Sequence, residues 1–491
     1  MSNIICLVTV NVKKKNYGIT AKSLSAVAPN IPMGLLDAYL ESEGIEVVVI
    51  DSDRDNLEVE ELIRKIIEIN PVVVGVIASG SNPSASTMSM VGVLMFFDKV
   101  KQFEDFNYTT FVYGGHPTVL PQRTLDETAA NFVVIGEGYS SIKGIYNHTV
   151  QGQSVNGIPG VAYYDQFGIF KSHKSDPLVD LDDLPPINFS KMNPNEYVAH
   201  NWHCFDDIES RSPYGIIWTN LGCPYPCEFC CINNVFEKRT FRFRSMKKVV
   251  EDIDRLVQDY GVRNIKILDE LFIIKHPRID EFCDLLEERN YDLNMWCFAR
   301  VDSVTPRILK RLKKVGLNWV AYGFETIDED MLASTNKRLK AVASVEGTIK
   351  MTRDAGINIC ADAIIGLPDD NRYSVNKTKE FLIKNEFEWV NLYPAFAYPG
   401  TPWYDDSIRD GVIPIPKKWD TYGLYSYDCE PMPTKHLTSA QVLELRDEVF
   451  SDYYKDPKIL KMLERKFGRK AREHVEELVS VKLDRKITTN P

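Results

Sequence analysis

Short apolar runs alternate with longer amphipathic segments over the first 150 residues of the chain. The apolar runs predict strands at Ile4–Val10, Glu46–Ile50, Val72–Ile77, Thr109–Tyr113 and Phe132–Ile135. The segments between them predict helices at Met33–Glu43, Val59–Glu68, Met90–Gln102 and Ser141–Tyr146. Apolar strands separated by helices are typical of a parallel sheet that is covered on both faces. The pattern predicts a doubly wound α/β domain over residues 1–150, with a ligand crevice at the carboxyl ends of its strands.

A second alternation of strands and helices fills residues 214–405. Strands are predicted at Tyr214–Thr219, Asn264–Leu268, Leu293–Ala299, Trp319–Phe324, Asn358–Ile365 and Trp389–Ala395. Helices are predicted at Met246–Tyr260, Pro277–Arg289, Pro306–Val315, Ala341–Ala355 and Ser374–Lys384. Repeated βα units of this length build a parallel barrel, whose active site lies at the carboxyl ends of the strands.

The remaining segments are less regular. Residues 151–213 contain a predicted hairpin, Gly160–Tyr164 with Gly168–Lys171, followed by an acidic, proline-bearing stretch at Leu181–Asn188 that is interpreted as a linker. Periodicity does not settle the structure of Tyr197–Ser212. Residues 406–491 form a helical extension, interpreted either as a lid over the barrel or as a solvated appendage; its helices are predicted at Ser439–Tyr453, Pro457–Phe467 and Ala471–Val481.

Composition narrows the class of protein. The chain has 491 residues, 44% hydrophobic and 26% charged, as in an ordinary globular protein with a sizeable core. A formal net charge of −11 argues against nonspecific binding to nucleic acid. The sequence suggests neither a signal peptide nor a membrane span. Its ten cysteines do not form a compact disulfide framework, so we expect a reducing cytoplasm.

A short turn carries the most specific chemical signal. Cys223, Cys227 and Cys230 have C-x3-C-x2-C spacing, and Pro224 and Pro226 keep the turn from becoming helical. Thiolates this close in sequence can face one point, as a soft metal or an iron–sulfur cluster requires. A structural zinc site needs four ligands, whereas a cluster held by three thiolates leaves one iron open. The alternatives are a zinc knuckle and a disulfide loop.

This turn resembles the signature of the radical S-adenosylmethionine (radical SAM) enzymes, in which an aromatic residue usually precedes the third cysteine. Phe229 has that place here. The resemblance implies a 4Fe–4S cluster on the three cysteines, with S-adenosylmethionine (SAM) bound at the open iron. It also implies that residues 214–405 are the partial (βα)6 barrel of this family. Cys231 is expected to point elsewhere. Such a cluster is oxygen-sensitive, which suggests anaerobic or microaerobic life.

Other strand ends match the family in SAM binding. Gly323-Phe324-Glu325 resembles the glycine-rich strand end beside the cluster, where Glu325 would accept from the SAM ammonium. Arg300, at the end of the third barrel strand, could pair with the SAM carboxylate. Ile364–Pro368, which includes Ile365 and Gly366, resembles the motif that packs against adenine.

Three loops at predicted strand ends of the first domain are small, polar and rich in glycine or hydroxyls. The residues of these loops that we expect to contact a ligand are Ser79, Asn82, Ser84, Ser86, Gly114, Gly115, His116, Gly136 and Glu137. No G-x-G-x-x-G follows the first strand, which argues against a dinucleotide site. The loops resemble the Rossmann-like cobalamin-binding domain that precedes the barrel in one class of radical SAM enzymes. Small loops would let a corrin ring approach the backbone.

One departure from cobalamin proteins concerns the lower ligand of cobalt. Proteins that supply a histidine use D-x-H-x-x-G, whereas Ile50–Asn56 contains no histidine. Either the cobalt has no protein ligand below it, or the domain has kept its fold and lost the corrin. His116 is interpreted as a loop residue near the pocket and not as a metal ligand.

The resemblance leaves three functions open. The first is a cobalamin-dependent methyltransferase acting on an unactivated carbon, or on phosphorus, of a small biosynthetic substrate. The second is a radical SAM enzyme of the same architecture that catalyses dehydration, cyclisation, ring contraction or epimerisation. The third is a cobalamin-binding sensor without turnover. The first two require an external electron donor such as a flavodoxin or ferredoxin; we expect no nucleic-acid partner.

Overall fold

A computed structural model describes residues 3–18, 26–337 and 342–489. The first domain is built on a seven-stranded sheet of order β2-β1-β3-β4-β5-β6-β7, in which β1 to β5 are parallel and β6 and β7 form an antiparallel hairpin at one edge. Its strands are β1 (Ile4–Thr9), β2 (Glu46–Asp51), β3 (Val73–Ile77), β4 (Thr109–Tyr113), β5 (Phe132–Val134), β6 (Val161–Tyr164) and β7 (Phe170–Ser172). Its helices are α1 (Lys13–Tyr17), α2 (Ile31–Ser42), α3 (Val59–Ile69), α4 (Ala85–Val100), α5 (Gly115–Val119), α6 (Pro121–Thr128) and α7 (Tyr139–Gln151). The doubly wound sheet and the hairpin are therefore as predicted.

The second domain is a partial barrel of six parallel strands in the order β15-β14-β13-β12-β11-β8. They are β8 (Tyr214–Ile217), β11 (Asn264–Ile267), β12 (Asn294–Ala299), β13 (Leu317–Glu325), β14 (Asn358–Ile365) and β15 (Trp389–Pro394). The helices are α8 (Met246–Tyr260), α9 (His276–Arg289), α10 (Pro306–Lys314), α11 (Glu329–Ala333), α12 (Val342–Asp354), α13 (Arg372–Asn385) and α14 (Pro402–Arg409). The predicted start of one helix at Ala341 lies outside the described residues.

A small two-stranded ladder brackets the cysteine turn, and the sequence pattern did not predict it. The first barrel strand ends at Ile217, and the chain then forms β9 (Asn220–Gly222), which pairs antiparallel with β10 (Phe241–Phe243). Gly222 has a φ of 86°, and a Cβ there would lie 2.2 Å from the Thr240 carbonyl oxygen. Only glycine allows the two strands to approach this closely, so the ladder fixes both ends of the loop that carries the cysteines.

The segment Tyr197–Ser212 closes the amino-terminal end of the barrel. The ring of Trp202 lies 5.0 Å from that of Trp296 and 5.2 Å from that of Trp319. The neighbouring His203 ring bonds the Asn294 carbonyl oxygen through Nε2 at 2.9 Å. The side-chain amide of Asn294 donates in turn to the His203 carbonyl oxygen at 3.0 Å. Aromatic packing and backbone bonds thus plug the end of the barrel opposite the active face.

The acidic stretch predicted to be a linker packs against both domains. Leu181, Leu184, Ile187 and Met192 are buried in a hydrophobic cluster that continues from the first sheet into the barrel. A Cβ on Gly34 of α2 would lie 2.6 Å from the Met192 sulfur, so this helix and the connection are in close contact. The two domains therefore share one continuous core.

Four helices end the described chain, and the first of them seals the open edge of the barrel. They are α15 (Ser439–Lys455), α16 (Pro457–Phe467), α17 (Arg469–Ser480) and α18 (Lys486–Thr489). In α15, Arg446 Nε donates to the Leu392 carbonyl oxygen at 2.8 Å, and the Tyr454 hydroxyl bonds both the N–H and the carbonyl of Val390, at 2.8 and 3.0 Å. These bonds satisfy the outer edge of β15, which an open sheet would leave unpaired. This helix packs on the barrel edge, so it is not a solvated appendage.

Between the barrel and α15 the chain returns to the first domain. Trp419 Nε1 donates to the Glu127 carboxylate at 2.8 Å, and the Arg123 guanidinium lies 4.1 Å from the Trp419 ring centroid. The same ring contacts His116 edge-on at a centroid distance of 4.3 Å. The first domain is thus held both by the connection that leaves it and by this later segment.

Within the described part of the chain, no helix has the length and apolar character needed to cross a bilayer.

Replacing Trp202 by alanine should destabilise the protein by about 3–5 kcal/mol, because the change leaves a cavity among buried aromatic rings. A thermal melt of the apoprotein would measure this as a lower Tm. Phe167, 76% exposed at the hairpin tip, provides the matched control, and Phe167→Ala should leave the Tm nearly unchanged. Equal melting temperatures for the two variants would contradict the plug.

Candidate active site and cofactor crevice

The three predicted cysteine ligands line one cavity. Cys223, Cys227 and Cys230 face a space of about 290 Å³ at the carboxyl ends of the barrel strands. Phe229 lines the same cavity and packs on Trp403 at a centroid distance of 5.6 Å. Among the described residues, no three His, Cys, Asp or Glu side chains converge closely enough to share a single metal ion.

Asn233 fixes the shape of the cysteine turn. Its side-chain carbonyl accepts from the backbone N–H groups of Cys223 and Thr240, each at 3.3 Å. Its amide donates to the Cys223 carbonyl oxygen at 3.0 Å. On the other side, the Glu228 N–H donates to the Thr335 carbonyl oxygen at 3.1 Å. The turn is therefore held at both ends by neutral groups, which leave its thiols available to a ligand.

Burial shapes the chemistry of these thiols. Desolvation raises the pKa of Cys223, Cys227 and Cys230 above the ordinary value. A cationic cluster between them would favour the thiolates, because metal binding displaces the thiol proton. Cys231 lies at the border of the cavity with a second crevice, and burial raises its pKa to about 12.

Glu325 lies in the cavity with a buried lysine beside it. Lys337 Nζ donates to the Glu325 carboxylate at 2.5 Å and to the Gly323 carbonyl oxygen at 2.8 Å. Glu325 has a φ of 61°, and the register of β13 against β14 shifts between Gly323 and Glu325. A non-glycine residue in this conformation is strained, and such strain is concentrated at functional sites. A Cβ on Gly323 would lie 2.7 Å from both partners, so glycine makes room for this pair.

Arg300 also lines the cavity, but its guanidinium already has partners. Nε and one terminal nitrogen donate to the two carboxylate oxygens of Asp302 at 3.0 and 3.1 Å. The guanidinium stacks 3.9 Å from the ring centroid of Tyr225, within the cysteine turn. Arg300 is thus held in place by Asp302 and ties the third strand end to the turn.

Three residues predicted to contact SAM lie outside the cavity wall. Phe324 packs on Phe381 and Phe387, with centroids 5.6 and 5.4 Å away, and belongs to the outer core. Ile365 is buried outside the cavity, and its neighbour Ile364 lines the wall, because successive strand residues face opposite sides. Gly366 packs under α15: a Cβ there would lie 2.5 Å from Val442.

A second crevice of about 140 Å³ separates the first domain from the barrel. Five of the predicted cobalamin contacts line it: Ser79, Asn82, Ser86, Gly114 and Gly115. The barrel contributes the opposite wall through residues 220–222, 231–232, 235–236 and 268–270. The crevice therefore lies where the carboxyl ends of the first sheet face the mouth of the barrel.

The other four predicted cobalamin contacts lie elsewhere. Ser84 lines the cysteine cavity. His116 is buried against Trp419, bonds Thr87 Oγ1 through Nδ1 at 3.2 Å, and has a pKa that burial lowers to about 3. A Cβ on Gly136 would touch Ser175 at 3.0 Å. Glu137 accepts from Arg242 of β10 at 2.6 and 3.3 Å, so its carboxylate joins the two domains.

The crevice suits a flat ligand that approaches the backbone. Gly114 has a φ of 148°, and a Cβ on it would lie 2.0 Å from the Ala78 carbonyl oxygen, so glycine brings two loops together into a smooth floor. Opposite, Asn220 buries its side-chain carbonyl oxygen without a hydrogen-bond partner in the described structure. A buried acceptor of this kind favours a ligand that carries N–H donors, as the amide side chains of a corrin do.

Three charged residues of the site were not among the predicted contacts. Asp269 accepts from the Thr219 N–H at 2.7 Å and from the Asn220 amide at 2.6 Å, which pins β9 to the second strand end. Glu270 lines both the cavity and the crevice, and burial raises its pKa to about 7. Asp362 lines the cavity wall, accepts from the Asn391 amide at 2.8 Å, and also has a pKa raised to about 7 by burial.

Two family models match separate parts of the chain. The radical SAM superfamily model matches residues 219–382, and the B12 binding domain model matches residues 18–145. The first range begins just before the cysteine turn, and the second contains the loops that line the crevice. The chain therefore contains both a radical SAM domain and a B12 binding domain, the combination found in the cobalamin-binding class of radical SAM enzymes. The cofactors of this class are a 4Fe–4S cluster, SAM and cobalamin.

Two relatives match most of this chain. It is 26% identical to uncharacterized methyltransferase PH0819 of Pyrococcus horikoshii, over 87% of this chain and 89% of that protein. It is 25% identical to the anaerobic magnesium-protoporphyrin IX monomethyl ester cyclase of Cereibacter sphaeroides, over 82% of this chain but 63% of the cyclase.

A solved structure shares the whole architecture. The radical SAM methyltransferase TsrM of Kitasatospora setae, determined with cobalamin and a [4Fe-4S] cluster, superposes with a TM-score of 0.69. The superposition covers 98% of this chain and 99% of TsrM at 14% identity. The likeness at that identity shows the fold, a B12-binding domain on a radical SAM barrel.

Replacing any one of Cys223, Cys227 and Cys230 by alanine should remove most of the iron that the protein binds after anaerobic reconstitution, because the three thiols face one cavity. Cys231→Ala is the matched control: it removes a neighbouring buried thiol and should leave the iron content unchanged. The measurement is the iron and sulfide content per chain, together with the visible absorbance of the iron–sulfur cluster. Loss of iron in Cys231→Ala equal to that in Cys227→Ala would refute the assignment.

Proposed function

We propose that this protein is a cobalamin-dependent radical SAM methyltransferase that transfers a methyl group to an unactivated carbon, or to phosphorus, of a small biosynthetic substrate. The observation that supports it most directly is the shared wall of the two spaces. Asn82, Pro83, Cys231, Ile232 and Glu270 line both the cysteine cavity and the crevice. A methyl carrier in the crevice would therefore adjoin the space in which a substrate meets the cluster face.

The proposed roles follow the cavity wall. Cys223, Cys227 and Cys230 would hold the cluster, and Phe229 would lie in the same cavity. Gly323 and Glu325 would receive the SAM ammonium. When bound, the cluster and SAM supply a carbon-centred radical and cobalamin supplies a transferable methyl group. The chain contributes positioning and the exclusion of water from the cavity.

Two further roles in SAM binding differ from those expected from the sequence, and they concern Arg300 and Ile364. Arg300 stacks on Tyr225 and pairs with Asp302, so we assign it to the orientation of the cysteine turn as well as to the SAM carboxylate. Ile364 replaces Ile365 as the residue that packs on adenine, since it forms the cavity wall. The electron that starts the reaction would come from a flavodoxin or ferredoxin.

A second function is a radical reaction without methyl transfer, and one observation favours it. The relative from Cereibacter sphaeroides is named as a cyclase, and it matches the chain almost as extensively as the methyltransferase does. Both functions require the same cluster and SAM site. They differ in whether the group in the crevice gives up a methyl group during turnover.

An anaerobic incubation of the reconstituted protein with SAM, methylcobalamin, a chemical reductant as electron source and candidate small substrates would separate the two functions. We expect 5′-deoxyadenosine together with S-adenosylhomocysteine and a product that is one methylene heavier by mass spectrometry. A turned-over substrate with 5′-deoxyadenosine, but without S-adenosylhomocysteine or added mass, would replace methyl transfer by the second function. The Cys227→Ala variant is the background control.

Glu325→Gln should keep the iron content and weaken SAM binding roughly tenfold to a hundredfold, since it removes a charge-assisted hydrogen bond in a partly buried site. Calorimetry of the reconstituted protein would measure the affinity. Glu329→Gln, at an exposed position that begins α11, is the matched control. If Glu325 serves only to pair Lys337, the variant will melt at a lower temperature with unchanged SAM affinity, and the assignment will be wrong.

A further inference from the structure

One lysine of the barrel reaches into the first domain. Lys266, on β11, is 1% exposed and points into the barrel interior. Its ammonium donates to the Ser81 carbonyl oxygen at 2.8 Å and to the Asn82 side-chain oxygen at 3.3 Å. Both acceptors belong to the loop that follows β3 of the first domain. This contact therefore joins the floor of the barrel to a loop of the B12-binding domain.

The surroundings of the Lys266 ammonium are such that losing this contact would destabilise the protein. The ammonium lies 5.0 Å from the Trp296 ring centroid and 5.5 Å from that of Phe298. The titratable groups that face it are Glu270, Asp362 and His200. Its direct hydrogen bonds go to neutral acceptors from the other domain, and a buried ammonium without acceptors is strongly destabilised. Lys266 is therefore satisfied when the loop is in place.

The loop that Lys266 holds forms the partition between the two spaces. Residues 79–83 line the crevice, and residues 82–84 line the cysteine cavity. The Ser81–Asn82 segment that accepts from Lys266 lies at the crossing point. A shift of this segment would alter the distance between a corrin in the crevice and a substrate in the cavity.

We propose that Lys266 is a positioning residue that holds the Ser81–Asn82 segment against the barrel and thereby fixes the cobalamin crevice relative to the cysteine cavity. The proposal deepens the function proposed above and rests on cobalamin binding in that crevice. Lys266 acts through the loop and needs no contact with the cluster, SAM or substrate. Its loss should therefore affect cobalamin before it affects iron.

The experiment compares Lys266→Met and Lys266→Gln with the reconstituted wild-type protein. Lys310→Met, which removes an exposed lysine from α10, is the matched control. We expect Lys266→Met to bind methylcobalamin roughly tenfold to a hundredfold more weakly, through loss of a charge-assisted bond. Iron content and SAM affinity should match the wild type, and the ratio of methylated product to 5′-deoxyadenosine should fall.

A pH profile separates positioning from a purely structural role. Burial lowers the pKa of Lys266 to about 8, so its ammonium loses its proton as the pH rises from 7 to 9. Because the protonated form makes the stronger bond, wild-type affinity for methylcobalamin should decrease over this range. Lys266→Gln keeps a neutral donor and should show an intermediate affinity that does not change with pH. A decrease of the same size in Lys266→Gln would overturn the proposal, because the titrating group would then lie elsewhere.

A double-mutant cycle keeps the test decisive if Lys266→Met folds poorly. Asn82→Ala and Lys266→Gln, alone and together, should weaken methylcobalamin binding non-additively, because each of them weakens the same contact. Additive effects would overturn the positioning role, as would equal affinity in wild type and Lys266→Met. If the wild-type protein binds no methylcobalamin, the proposed function as a cobalamin-dependent methyltransferase is itself wrong.

Discussion

The carboxyl ends of the strands in the two sheets face each other, and both the cysteine cavity and the crevice depend on this arrangement. The parallel strands of the first sheet end in loops that point at the mouth of the barrel, where the parallel strands of the second sheet also end. Neither edge alone encloses the crevice, since each supplies one wall. Three polar contacts between the domains keep the edges together: Arg242 with Glu137, and Lys266 with Ser81 and Asn82. The reactive space is thus a product of docking as much as of either fold.

Local periodicity was enough to predict both sheets from the sequence. Most of the predicted strands of the first domain begin and end within two residues of their observed limits, because apolar runs between amphipathic helices leave few other arrangements. The cysteine turn could be found from spacing alone. The pattern missed the β9–β10 ladder, whose strands are three residues each and carry no alternation that distinguishes them from loop.

The site was predicted less completely, for reasons of geometry. Lys266 occupies an ordinary strand position, and its partner Ser81 lies 185 residues away, so no local pattern connects them. Lys337 likewise reaches Glu325 from a turn that follows α11. The sequence motif indicated Ile365, whereas Ile364 lines the cavity wall, because in a strand a shift of one residue changes the face. His116 and Glu137 were predicted from loop composition, which does not reveal that Trp419 and Arg242 engage them.

The return of the chain to the first domain changes how that domain can move. It is attached at one side by the packed connection after β7, and at the other by Trp419, which contacts Arg123, Glu127 and His116. A body fastened at two separated points can rotate only about the line that joins them. Wide separation of the domains would require breaking one buried attachment. The two attachments therefore restrict the motions by which the crevice can open for ligand exchange.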